Sequence, residues 1–448
     1  MHHYRNMTNP TETPSFETSF KSAEQCERAG QSVRAEALCL QALEAEPGQP
    51  QATLLAARLA TARKNFRLAA QLLQQGFDRH RQDTELAIQL ALALATTGEL
   101  LDAVRTLQHA VAARPEAHHA WLFLSVLLDK VGDGPGALKA AYQAVTRAQR
   151  SGEWLDEAST QTELLPLVIQ VIERVRLGRR ELFLGSFAEL RARHGNAELV
   201  RMDRALSLYL NEIEVAPPSA HQRPIFLYFP DLPSTAYHDA ALQPWSRRLT
   251  EAFPDIRAEA LAVLEADRQA LPDFITTADR TGQDEHLAGA SAAPRWQAFF
   301  FYRRGRRFDA NHARCSVTSS VLESADLCRI ADQAPEICFS VLGPGTHIKP
   351  HHGVTNTRLV MHLPLIVPSD CALNVFGGGL HAWTEGELVM FDDTFLHEAW
   401  NRSAHTRVVL LMDCWNPHLT AVERVACTQL IEMISSLKPR TQAGPTAK

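Results

Sequence analysis

Between residues 17 and 150 small and apolar positions recur with a period of 34. Ala23, Ala57, Ala91 and Ser125 mark one phase, Ala35, Ala69, Ala103 and Ala137 a second, and Ala42, Gly76, Ala110 and Ala144 a third. The turn phase reads Gly30, Lys64, Gly98 and Gly132, and Pro47 and Pro115 sit two periods apart with Arg81 between them. Small residues at those phases let two antiparallel helices pack closely, and proline ends one pair before the next begins. The pattern predicts about four helical hairpins stacked as an α-solenoid. Helical spacing continues through LLPLVIQVIERV, ELFLGSFAELRARHG and Arg201–Glu212, so residues 151–215 read as an extension that caps the array. The Pro-rich stretch 216–224 then predicts a linker.

After that stretch the pattern shortens. PIFLYFPDLP predicts a first strand, Pro244–Ala252 and Ile256–Asp267 predict helices, and WQAFFFYRRG predicts a strand and turn. Residues 276–294 are polar and small and predict a loop at a pocket entrance. Short β-branched runs follow at Cys338–Leu342, Leu359–Val367, Leu388–Phe391 and Arg407–Met412, each bounded by Gly, Pro, Asp or Asn. Strands at this spacing predict a small barrel or sandwich. TAVERVACTQLIEMISSL reads as a closing helix and PRTQAGPTAK as a tail, together residues 420–448.

Composition narrows the functional classes. A chain of 448 residues with 45% apolar and 21% charged residues has room for several domains of ordinary soluble type. A net charge of -6 argues against a general nucleic-acid binder, and Arg303, Arg304, Arg306 and Arg307 read as a solvated loop, with the approach of an anionic substrate as the alternative. No apolar run reaches the roughly 18 residues of a membrane span. Residues 1–16 lack an apolar signal core and read as a disordered tail. Eight cysteines without a CxxC pair imply a reducing, cytoplasmic setting.

Candidate chemistry concentrates in Phe339–Pro417. His351 follows the turn GPGTHIKPH, His397 follows FDDT, and Arg407 opens an apolar strand that offers no other reason for a guanidinium. Imidazole suits iron, zinc, copper or nickel, and Arg is shaped to grip a carboxylate. The residues alone leave two readings open. The region also holds His347, His352, His362, His381 and His405, and position 353, where a metal-binding carboxylate would follow His351, is glycine. Asp392 and Asp393 read as a turn that positions His397, with one Asp as its polar support. Trp383, Trp400 and Trp415 read as packing residues.

From Ile225 to Leu419 the chain resembles the aspartyl/asparaginyl β-hydroxylase family of Fe(II)- and 2-oxoglutarate-dependent dioxygenases. FSVLGPGTHIKPHHGVTNTRLVMHLPL, W-TEGELVMFDDTFLHEAWN, R-VVLLMDCWNP and, upstream, FFFYRRGRRFDANHARC carry the likeness. It implies a double-stranded β-helix of the jelly-roll or cupin type over residues 225–419, and iron held by only two histidines, which accommodates Gly353. It assigns His351 and His397 to the metal, and Arg407, Ser340 and His362 to 2-oxoglutarate, with O2 as the second cosubstrate. Tyr302, Arg358 and Asn356 fall at the substrate pocket. The family's second arginine in R-L-R-M-H is Val360 here, so the substrate need not be a peptidyl Asp or Asn.

Residues 17–150 resemble tetratricopeptide repeats, whose concave face holds a protein or peptide partner. The expected whole is an α + β multidomain protein, an N-terminal α-solenoid followed by a C-terminal double-stranded β-helix. Its expected activity is hydroxylation of a side chain on a protein recruited by the repeats. A lipid acyl substrate is an alternative, as is a non-catalytic adaptor with a degenerate barrel. No nucleic-acid partner and no membrane span are expected.

Overall fold

The computed structural model describes residues 15–267, 270–275, 286–289 and 294–437. By contacts the chain divides into two compact units, one reaching Arg179 and including Leu437 onward, the other Arg180–Ser436.

The first unit is built on the 34-residue period. Its hairpins are α1 (Phe16–Arg28) with α2 (Ser32–Ala45), α3 (Pro50–Ala62) with α4 (Phe66–Arg79), α5 (Thr84–Thr97) with α6 (Leu100–Ala113), and α7 (His118–Lys130) with α8 (Gly134–Arg150). First and second helices alike start 34 residues after their predecessors. The small residues of the three phases are buried between helices. A Cβ at Gly76 would press on the Thr53 side chain of α3, so that crossing admits no larger residue. Gly30, Lys64, Gly98 and Gly132 all adopt positive φ, which closes each hairpin; Lys64, at φ 62, does so with a side chain. Asn65, Asp83 and Asp133 cap helices by accepting from backbone N–H groups three residues on. Trp121 donates to Pro115 O at 2.9 Å and packs, half-buried, against the same core.

The boundary between units falls inside α9 (Leu165–Ser186), earlier than the expected 216–224 linker. That stretch is anchored on the barrel. Buried Gln222 donates to Asp392 Oδ2 at 2.9 Å, and Arg223 N donates to Thr394 O at 2.8 Å. Helices α10 (Ala188–His194) and α11 (Val200–Tyr209) belong to the second unit. PIFLYFPDLP forms no strand, only an isolated bridge from Leu227 to Thr355. Its prolines supply no donors, and Asn356 occupies both backbone groups of Phe229, so no ladder propagates.

The remaining elements in order are β1 (Tyr237–His238), α12 (Ser246–Glu251), α13 (Phe253–Asp267), β2 (Leu287–Gly289), β3 (Trp296–Arg303), β4 (Arg306–Arg307), α14 (Asp309–Arg314), α15 (Ser316–Ser324), β5 (Ile337–Leu342), β6 (Thr346–His351), β7 (Arg358–Ile366), β8 (Cys371–Val375), β9 (Gly379–Ala382), β10 (Val389–Phe391), β11 (His397–Asn401), β12 (Arg407–Trp415) and α16 (Ala421–Leu437). Two antiparallel sheets result, ordered β1-β10-β7-β12-β5-β3-β4 and β2-β6-β11-β8-β9. Of the expected loop at 276–294, residues 276–285 and 290–293 lie outside those described. Leu287–Gly289 is an edge strand paired with β6. Residues 1–14 of the expected tail also lie outside, whereas Ser15 caps α1 and Phe16 begins it.

Side-chain parity sorts the large sheet into two faces. Leu359, Met361, Leu363, Val408, Leu410 and Met412 pack outward with α13 and α15. Ser340, Val360, His362, Arg407 and Leu411 face a cavity of about 750 Å³. Strand period places alternate residues on opposite faces, so polar groups at one parity must be there for the cavity.

Candidate active site

His351 ends β6 and His397 begins β11, and the two are direct cross-strand partners. Their ring centroids lie 4.1 Å apart. Each ring is oriented by the same local device. His351 Nδ1 lies 2.8 Å from Lys349 O, and His397 Nδ1 lies 2.9 Å from Phe395 O. A carbonyl only accepts, so both Nδ1 atoms carry the proton and both Nε2 atoms keep a lone pair, the tautomer a metal ligand needs. Burial first, and then His351, hold His397 down to about 3; burial also lowers His351. Both rings are therefore neutral at pH 7.

Arg407 is 2% exposed and stands in the same cavity. Its Nη1 donates weakly to Ser340 Oγ at 3.5 Å, its guanidinium lies 4.7 Å from the Trp383 ring centre, and its Nε has no hydrogen-bond partner. Burial pushes it down to about 10, still a cation at neutral pH. Among the described residues no carboxylate pairs with it, so a buried positive charge waits on an anion. Trp296, which the sequence reading did not single out, donates from Nε1 to Ser340 Oγ at 2.9 Å and fixes that hydroxyl. His362 is buried, both ring nitrogens lack partners, and burial followed by Arg407 holds it well below its ordinary value.

The FDDT turn separates its two acids. Asp392 is buried and structural, accepting from Thr394 N at 2.9 Å and from Gln222. Asp393 lines the cavity, its Oδ1 without a partner. Burial raises it to about 7, against the lowering pull of Arg358. A Cβ on Gly353 would fall within the Asp393 carboxyl group. The Asp393 carboxyl group thus shares the cavity with the histidine pair and occupies the space a side chain at 353 would take. Among the described residues no third His, Cys, Asp or Glu donor joins the pair within 4.8 Å.

Three substrate-pocket expectations resolve differently. Arg358 lines the cavity but is tied to Asp413 at 2.5 Å, beneath Val360, whose cross-strand partner is Asp413. Tyr302 does not line the cavity. A bulge between Phe300 and Tyr302 shifts the parity of β3, which sends Tyr302 outward against His312 and turns Arg303 inward. Asn356 is buried away from the cavity, clamping Phe229 N and O at 2.7 and 2.8 Å. Asp413 went unremarked, although a lone acid at the parity of Arg407 and Leu411 in an apolar strand was a readable signal.

The family described as Aspartyl/Asparaginyl beta-hydroxylase matches residues 250–417. Aspartate beta-hydroxylase domain-containing protein 2 of Rattus norvegicus is 33% identical over 210 residues, 46% of this chain and 58% of that protein. The ornithine lipid ester-linked acyl 2-hydroxylase of Rhizobium tropici is 31% identical over 228 residues, 50% of this chain and 74% of that protein. The human aspartyl/asparaginyl beta-hydroxylase is 32% identical over 178 residues, 38% of this chain and 21% of that protein. The chain thus spans little more than half the length of the first of these relatives. Among the described residues no helix is long and apolar enough to cross a membrane.

Proposed function

The chain belongs to the aspartyl/asparaginyl β-hydroxylase family, and from that premise we propose that it is a hydroxylase dependent on Fe(II), 2-oxoglutarate and O2. The observation that carries the reading is Arg407. A fully buried guanidinium without a carboxylate shares one cavity with two neutral imidazoles whose Nε2 atoms are left as acceptors.

His351 and His397 would hold the iron through Nε2. Arg407 and the Ser340 hydroxyl, itself held by Trp296, would hold the far carboxylate of 2-oxoglutarate. His362, neutral and unpartnered, would lie toward the metal end of the cosubstrate, and Asp393, whose Oδ1 has no partner, would accept from a water in the cavity. The bound group supplies the oxidation: 2-oxoglutarate and O2 become succinate, CO2 and one oxygen atom inserted into a substrate C–H bond. The chain's own residues orient that cosubstrate and keep the C–H region dry. Ile348, Leu373, Phe391, Ala399 and Leu411 line it.

For the substrate, a side chain on a protein delivered by the repeat array fits the family and the array together. Val360 favours a second reading. Arg358 is neutralised by Asp413, so the wall next to His362 offers an apolar surface to the substrate, which suits an acyl chain.

Purified protein supplied with Fe(II) and ascorbate is expected to turn 2-oxoglutarate into succinate, and His397→Ala to abolish the turnover. Equal succinate from both proteins, or none from either, returns the barrel to an adaptor role. Peptide and acyl-lipid substrates, compared for coupled hydroxylation, separate the two substrate readings.

A further inference from the structure

The last hairpin of the repeat array gathers three donor side chains that the barrel chemistry does not use. His118 and His119 open α7, and Glu153 lies in the turn after α8. One donor atom from each lies within 4.8 Å of the other two. His118 Nε2 stands 3.3 Å from Glu153 Oε2. That separation is about the edge of a tetrahedron with metal–ligand bonds of ~2.0–2.1 Å. Successive helical side chains diverge by about 100°, yet these two rings have centroids 4.2 Å apart.

The surroundings are built to keep them so. Trp154 is 2% exposed and sets its edge against both rings, at 5.1 Å from His118 and 5.8 Å from His119. It does this at φ 55, a left-handed conformation that costs a bulky residue energy and that directly follows Glu153. His119 Nε2 is buried without a hydrogen-bond partner. A purely structural histidine would leave that nitrogen's hydrogen-bonding capacity unmet.

We propose that His118, His119 and Glu153 form a binding site for a divalent transition-metal ion of the zinc class, with its fourth position open to water. Two imidazoles and a carboxylate are a donor set such ions accept with an open position. Both histidines border a cavity of about 910 Å³ that also reaches Glu85 and Glu116, which provides the route in. Bound there, the ion fastens the start of α7 to the turn after α8.

Zn2+ binding to the full-length chain carrying His351→Ala and His397→Ala excludes the barrel pair and tests the site. This parent is expected to bind one Zn2+ that His119→Gln and Glu153→Gln each weaken by about tenfold or more. Co2+ in the parent is expected to give visible absorption bands of four-coordinate type, absent in both variants. Circular dichroism keeps loss of binding distinct from loss of fold; Glu153→Gln, at a part-exposed turn residue, serves if His119→Gln unfolds. Zn2+ affinity unchanged in the folded variants, or no binding by the parent, overturns the proposal.

Discussion

Asp393 holds its carboxyl group in the volume that any side chain at Gly353 would need. The two positions are mutually exclusive, and the chain has settled the competition by leaving 353 without a Cβ. Gly353→Ala is therefore expected to destabilise the second unit by about 1–3 kcal/mol and to slow succinate formation. Adding Asp393→Ala should recover most of the stability but not the turnover. Urea midpoints and 2-oxoglutarate assays on both variants check this; a Gly353→Ala protein as stable as the parent would contradict the shared volume.

Arg407 is a buried cation without a carboxylate partner among the described residues, the arrangement on which the proposed cosubstrate role rests. Arg407→Met is expected to stabilise the cosubstrate-free protein by about 1–4 kcal/mol, because it removes an unpaired buried charge while keeping the stem's volume. The Trp383 contact moderates the gain. The parent should melt higher with added 2-oxoglutarate, and Arg407→Met should show no such shift. A thermal melt with and without cosubstrate reads both effects, and a normal shift in the variant would remove Arg407 from the binding role.

Lys64 occupies a turn phase that glycine fills in the other hairpins, at φ 62 and exposed. Lys64→Gly is expected to gain about 0.5–1 kcal/mol by relieving the left-handed strain. The reverse change has a clean control. A Cβ at Gly98 would meet nothing within 4 Å, so any loss in Gly98→Ala, expected at about 1 kcal/mol, is conformational. Thermal melts of the two variants should move in opposite directions.

His238, on β1 beside His418, is lowered by burial to about 4 from an ordinary 6.5. The folded chain binds the proton less well than the unfolded one, so this group's contribution is intact above 6.5 and is lost as pH falls toward 4. Discounted for partial exposure, the loss from pH 7 to pH 5 is about 1–2 kcal/mol. His238→Gln should lose correspondingly less stability than the parent over that interval. Denaturant titrations at the two pH values decide it, and identical slopes would show that His238 does not titrate as its burial requires.

Much of this was legible because it obeys a period. The 34-residue phase located every hairpin, and Lys64 was readable as a turn residue before its φ was known. A guanidinium heading the otherwise apolar run Arg407–Met412 was the sequence signal for Arg407, which lines the cavity. The misreadings occur where a local irregularity breaks the period. One bulge in β3 inverted Tyr302, and no propensity marks a bulge between aromatic residues. PIFLYFPDLP has strand composition, yet the backbone groups of Phe229 are taken by the Asn356 side chain and those of Ile225–Leu227 donate to Gly353 and Val354, tertiary events invisible to a local window. The Pro-rich 216–224 segment looked like a spacer because its anchors, the Gln222 side chain and the backbone of His221 and Arg223, matter only through what they meet. The Asp393–Gly353 overlap joins two segments, so neither motif alone announces it.

The cross-strand pairing of His351 with His397 ties the placement of the two imidazoles to a hydrogen-bond ladder and not to the length of chain between them. The β8–β9 turn can change length without disturbing either imidazole, whereas the β10–β11 turn, which supplies Phe395 O to His397 and Asp393 to the space at Gly353, cannot. One residue inserted inside β11 ahead of Ala399 would instead throw His397 onto the opposite face of its sheet. The length of the β8–β9 turn is thus uncoupled from the imidazole pair, while the β6–β11 register, which already shifts between His397 and Ala399, and the β10–β11 turn are not.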